Sequence, residues 1–190
     1  MTDKEISQDQ VNQLVEDASY LQDEADAMQY VIDDVPYNES IPGKRSIAEI
    51  LLLIDHAQTS YYRPILEEAV DNKRPTHLEN FTHFEESFEF EGEVENIQKV
   101  LRKISKHRAG VVNAIKKISL IDWETVIYNN DQQLLLYNFA RQMVRFERAK
   151  LNKIADQVMV YGKEKENRRE LKKRRKQRDQ GTPPDNHSDG

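Results

Sequence analysis

Few residues in this chain have the types and spacing that chemistry needs. There is no cysteine, which removes thiolate nucleophiles, thiolate metal sites and disulfides together. The histidines are His56, His77, His83, His107 and His187, and no two stand at the i, i+4 spacing that puts a ligand pair on one helix face. His56 lies within an apolar helical segment, and a lone histidine there is ordinarily a packed or exposed side chain. His77 and His83 fall among glutamates in an aperiodic stretch without tight ligand spacing, and His107 sits in a basic run. Phosphate loops, nucleophile elbows and HExxH motifs are absent. Glu67 and Glu68 are neighbours in sequence only, so nothing in the spacing makes them a catalytic carboxylate pair. One residue stands out. Arg108 shares a helical face with Ile97, Leu101, Ile104, Val111, Ile115 and Ile118, so it either lays its stem along the surface, joins a structural ion pair, or points a guanidinium into an interior cavity.

The elements that would position such residues are helices. Ser46 and Glu49 form a capping box, and Ile47, Ile50, Leu51, Ile54 and Ala57 repeat at helical spacing behind it. Leu52 and Leu53 widen that face enough for contact with neighbours on more than one side. Pro64 should kink or end this helix near Tyr62, with residues 65–70 continuing it. Before it, Ser7 and Gln10 cap a helix with the stripe Val11, Leu14, Ala18, Leu21, Ala25, Met28 and Ile32, expected to reach Asp33 or Asp34.

Residues 71–92 break all periodicity. Phe81, Phe84, Phe88 and Phe90 stand among a dense set of glutamates from Glu79 to Glu95. The segment reads as a long crossover pinned to the body by its aromatics, or as an acidic-aromatic lid or docking loop. A third helix is expected from near Glu93. Residues 119–128 read as an extended connection, and Asn130 with Gln133 as a cap pair for a fourth helix. Its stripe runs Leu135, Phe139, Met143, Phe146, Ile154 and Val158, with Lys150 on the same face, and the helix is expected to continue to about Gln177.

The chain of 190 residues is long enough for one domain plus tails. It is 37% hydrophobic and 33% charged, which suits a helical protein with solvated outer faces. No basic-then-apolar leader and no run of about 18 apolar residues is visible, so a cytoplasmic protein without a membrane span is expected. The net charge of −6 conceals two electrostatic objects. Residues 1–162 hold 18 Lys and Arg against 28 Asp and Glu, whereas residues 163–190 hold 10 against 6. The run from Lys163 to Arg178 is either a solvated helical extension or a contact for a polyanion. Residues from Gln180 onward have the composition of a disordered tail.

Two long segments carry a family likeness. IPGKRSIAEILLLIDHAQTSYYRPIL resembles the second-helix segment of the DinB-like (DinB/YfiT) superfamily, in which a tryptophan precedes the serine of the cap; here that residue is Arg45. DWETVIYNNDQQLLLYNFARQMVRFERAKLNKI resembles the family's fourth-helix segment, where a tryptophan is followed by a helix carrying H-E-x-x-H, and Arg108 resembles a helix-three arginine of the family. The likeness covers about residues 8–158. It implies an all-α, up-down-down-up four-helix bundle over residues 1–160, with a long crossover between the second and third helices and a charged helical extension and tail over 161–190.

In that family three histidines commonly hold a divalent metal, and several members resemble thiol-dependent transferases. The three ligand positions correspond to Leu53, Phe146 and Lys150, while the glutamate of the H-E pair persists as Glu147. The expectation is a bundle that has lost the metal centre, needs no cofactor, and works as a non-catalytic binding or interaction protein for a small molecule or protein, with a homodimer as a candidate assembly. Two alternatives stand beside it. One is a small-molecule transferase or hydrolase-like enzyme with a pocket of His56, Arg108, Glu147 and Lys150, and the other is a nucleic-acid accessory protein acting through its basic tail. Lys150 must resolve its own charge, through Glu147 three residues away or by reaching outward.

Overall fold

The structure is a computed structural model that describes residues 5–72, 76–78, 85–129 and 132–180. Phe81, Phe84, His83, Asn130 and the segment 181–190 lie outside these residues, as do the side chains at positions 69, 70, 72, 76–78, 129 and 178–180.

Four helical rods make an up-down-down-up bundle. The first is α1 (Gln8–Met28), opened by the Ser7–Gln10 capping box and burying Val11, Leu14, Ala18, Leu21 and Ala25. It ends earlier than its apolar stripe suggests. Beyond Met28 the backbone tightens into i→i−3 hydrogen bonds, and a 3-10 turn over Ile32–Asp34 carries Ile32 into the core. The freed carbonyl of Gln29 accepts from Gln98 Nε2 at 2.7 Å, so a tertiary contact replaces the missing helical one.

The second rod is composite. α2 (Ile47–Ala57) begins at the Ser46–Glu49 capping box and buries seven apolar side chains together with Asp55. A π-helical turn over Gln58–Tyr62 follows, and α3 (Arg63–Asn72) continues the rod. Pro64 lacks an N–H and crowds the carbonyl a turn earlier, so one wide turn just before it absorbs the misfit without ending the helix. β1 (Thr76–Leu78) lies on the crossover.

The third rod, α4 (Ile97–Lys117), starts later than the sequence suggests. Asn96 Oδ1 accepts from the Lys99 N–H at 2.9 Å and sets the start. The residues before it are tied instead to Asn38, which bonds both the N–H and the C=O of Val94. A 3-10 turn (Ile121–Glu124) leads into β2 (Val126–Asn129) and β3 (Gln132–Leu135). Gln133 is therefore a strand residue and not a cap, because the β-branched and aromatic run from Val126 pairs across the sheet. β1 pairs parallel with β2 and β2 antiparallel with β3, in the order β1-β2-β3.

The fourth rod, α5 (Leu136–Gln180), is 45 residues long. Its first half packs in the bundle, whereas residues 162–177 are exposed throughout. Cross-rod bonds fix the directions. Tyr137 reaches Gln10 and Arg148 reaches Asp17, so α1 and α5 run parallel. Gln58 meets Glu147 and Gln157 meets Arg45, so α2 and α5 are antiparallel. No helix among the described residues is long and apolar enough to cross a membrane.

The core divides into two apolar clusters. One gathers Leu14, Leu53, Tyr62, Val111, Trp123, Phe139 and Met143; the other gathers Ile32, Ile47, Leu51, Ile97, Leu101, Ile104 and Ile154. Phe88 and Phe90 pack against them, which anchors the described end of the crossover to the bundle.

Candidate functional site

Arg108 falls between Ile104 of one cluster and Val111 of the other, and Glu147 faces it from α5. The Arg108 Nη2 and Glu147 Oε2 form an ion pair whose side chains are 1% and 2% exposed. Gln58 Nε2 donates to Glu147 Oε1 at 3.2 Å, brought inward by the π-turn. Arg108 Nη1 meets the Met143 thioether at 3.7 Å, while its Nε and the Gln58 Oε1 have no hydrogen-bond partner among the described residues. Burial pulls the Arg108 guanidinium down to about 9, with Tyr62 pulling the other way. It is therefore charged at neutral pH. The Tyr62 phenol is pushed well above its ordinary value by the same burial, partly offset by Arg108. This is a polar layer closed off within the bundle.

The ammonium of Lys150 solves its burial differently. The residue is 5% exposed, and its Nζ pairs with Glu85 Oε1 from the crossover. The Phe146 ring lies beneath it, 5.1 Å from Nζ to the centroid. Glu147, the nearest acid in sequence, is committed to Arg108, so the pairing expected from helical spacing is not the one formed. Arg45 holds the crossover in place by donating to the carbonyls of Glu85 (2.9 Å) and Phe88 (3.0 Å) and lying over the Phe88 ring.

Beside Lys150 lies a cavity of about 420 Å³, lined by Ile50, Leu53, Glu85, Lys150, Asp156 and Gln157 among others. Leu53 and Lys150 therefore share one site, with Phe146 against Lys150. His56 does not join it. Its ring packs 5.4 Å from Phe88 and 5.5 Å from Tyr61, and its Nδ1 lies 3.3 Å from the Ser60 hydroxyl. The grouping of His56, Arg108, Glu147 and Lys150 separates into three places: a closed ion pair, a cavity-lining lysine, and a half-buried imidazole under the crossover.

Sequence reasoning missed Gln58, Gln157, Glu85 and the buried Asp55. Asp55 accepts from Lys103 at 2.8 Å and lies 2.7 Å from His107 Nδ1, tying α2 to α4. Gln58 and Gln157 carried a signal, since each lies at i+4 or i+3 from a core isoleucine (Ile54 and Ile154). Glu85 carried none.

The donor set at Leu53, Phe146 and Lys150 does not fit a metal. Two of the side chains have no ligating atom, and the third is an ammonium engaged with a carboxylate. Among the described residues no group of three or more His, Asp or Glu side chains is arranged to hold an ion.

No family model and no curated protein matches the chain. Among solved structures, it shares the architecture of a four-helix bundle. One similar structure is YfiT from Bacillus subtilis, with a TM-score of 0.70 and 10% identity, covering 85% of this chain and 93% of that one. That protein is described as a probable metal-dependent hydrolase with an unusual four-helix bundle topology. At this identity the likeness establishes the fold.

Proposed function

We propose that this chain is a DinB-like bundle whose interior works without a metal, as a binding module and not as a metal-dependent hydrolase. The observation that carries this reading is the Lys150–Glu85 pair, at a position where the sequence resemblance would put a ligating histidine. A divalent ion about 4 Å from a lone ammonium would be repelled by roughly 8 kcal/mol at an effective dielectric of 20. The Glu85 carboxylate offsets part of this, and it is already engaged by Lys150. Leu53 and Phe146 supply no ligand atom to offset that. Thermal unfolding tests the reading. Zinc, nickel, ferrous iron and chelator should each leave the melting temperature unchanged, since a ligand held only by the folded chain must raise it. A clear rise with one of these metals, reversed by chelator, would restore the enzymatic alternative.

A second reading is favoured by the free length of α5. Residues 162–177 are exposed, and the ion pairs seen there are Lys165 to Asp34 at 3.6 Å and Arg174 to Glu170 at 3.9 Å. Cations are distributed around this helix without an apolar face, which suits a polyanion more than a lipid surface. Binding of duplex nucleic acid that weakens steeply with salt, and is lost on removal of residues 163–190, is the expected result. Salt-insensitive binding would reject it.

A further inference from the structure

The cavity beside Lys150 has three features that its structural role does not use. Gln157 is 3% exposed and spends its Nε2 on the Arg45 carbonyl at 3.0 Å, leaving Oε1 buried with no donor among the described residues. An orphaned buried acceptor is unfavourable, so a donor in the cavity that met it, with a small turn of the Gln157 amide to open its closed face, would recover that cost. Asp156, next to Gln157 on α5 and exposed, also lines the cavity. At the other end Lys150 takes its anion from Glu85, whose side chain is 41% exposed. Finally, Arg45 holds the crossover by the main-chain carbonyls of Glu85 and Phe88, not by the Glu85 carboxylate. The carboxylate can turn into solvent while the backbone stays where it is.

We propose that this cavity binds a small carboxylate that bears an amine or other hydrogen-bond donor at its far end. The ligand carboxylate takes the place of Glu85 on Lys150 Nζ, and its donor end meets Gln157 Oε1 and Asp156. The apolar middle lies on Ile50 and Leu53. The exchange keeps the buried ammonium paired throughout, and it releases a carboxylate that already borders water. Lys150 and Gln157 are seven residues apart on α5, two helical turns or roughly 10 Å along the axis, which calls for an extended molecule with separated ends. Lys44, Arg45 and Lys153 also line the cavity, but at more exposed positions, and Lys150 is its one buried ammonium among the described residues. A monoanionic carboxylate therefore suits the buried end, and the phosphate probe tests that preference. The volume of about 420 Å³ is within the usual range for small-ligand sites. The inference rests on the reading that Lys150, and no metal, provides the positive charge.

The test uses the full chain and four probes: 6-aminohexanoate, hexanoate, hexylamine and inorganic phosphate, followed by amide chemical-shift titration. Saturable binding of 6-aminohexanoate is expected, with hexanoate weaker and the other two without effect at the cavity. Glu85→Gln removes the competing carboxylate and should tighten binding by about fivefold, the worth of a part-exposed ion pair. Lys150→Met should abolish binding, and Gln157→Leu should bring 6-aminohexanoate down to the level of hexanoate. Glu85→Gln is a gain that misfolding cannot imitate, so it keeps the proposal falsifiable if Lys150→Met unfolds. Absence of carboxylate binding in Glu85→Gln, or phosphate binding there instead, overturns the inference while leaving the metal-free reading intact. Carboxylate binding that chelator removes and Lys150→Met does not would overturn both.

Discussion

Glu147→Gln takes the negative charge from a pair that is all but sealed from water, leaving Arg108 with the Met143 thioether and a neutral amide. One of the two Glu147 oxygens becomes an NH2, so either Gln58 Nε2 or Arg108 also loses its acceptor, and the perturbation removes a charge together with one hydrogen-bond acceptor. Removing one member of such a pair costs about 3–5 kcal/mol, because the surviving charge stays buried without compensation. In a chain of this length each kcal/mol lowers the melting temperature by about 2–4 °C, which predicts a fall of about 6–20 °C. Arg108→Met should cost a similar amount by stranding the carboxylate. The double variant Arg108→Met/Glu147→Met replaces the pair with apolar side chains of similar length, and should be more stable than either single variant. Urea denaturation followed by circular dichroism, with the m-value checked for constancy, measures all three. Losses below about 1 kcal/mol in both single variants would refute the argument. So would a double variant that loses the sum of the two.

Tyr62 gives a pH signature. Its raised pKa means that above pH 10 the unfolded chain ionises while the folded chain does not, so this residue lowers stability as pH rises, by up to about 1.4 kcal/mol per unit. Arg108, drawn down to about 9, acts in the opposite sense, so the Tyr62 contribution is read as the difference in slope between the native chain and Tyr62→Phe between pH 9.5 and 11.5; equal slopes would contradict it. Ser46→Ala breaks the capping box of α2 and should cost about 1 kcal/mol, or about 2–4 °C, in a thermal melt. Truncation after Gly162 removes side chains that are exposed throughout residues 163–177, and the melting temperature should hardly change.

Local signals were legible and distant ones were not. The capping boxes at Ser7–Gln10 and Ser46–Glu49 depend on residues three apart, and both form as their spacing implies. The stripe from Val11 to Ala25 is buried for the same reason. The end of α1 is not legible locally, because Gln29 gives its carbonyl to Gln98, a partner 69 positions away. β1 escaped notice because its partner β2 lies about 50 residues on, and a three-residue strand has no period to detect. At the candidate site the same divide holds. Lys150 was identifiable as a buried charge needing a partner, but helical spacing pointed to Glu147. That carboxylate was taken by Arg108 across the bundle, so the pairing went to one glutamate among many in an aperiodic segment.

The central claim is that residue identity, and not bundle geometry, keeps metal out of this interior. Elemental analysis after zinc loading and desalting tests it most directly, on the native chain beside Leu53→His/Phe146→His/Lys150→His. Zinc far below stoichiometry is expected in the native chain, with close to one ion per chain gained by the triple variant. Stoichiometric zinc in the native chain, unaffected by the substitutions, would contradict it.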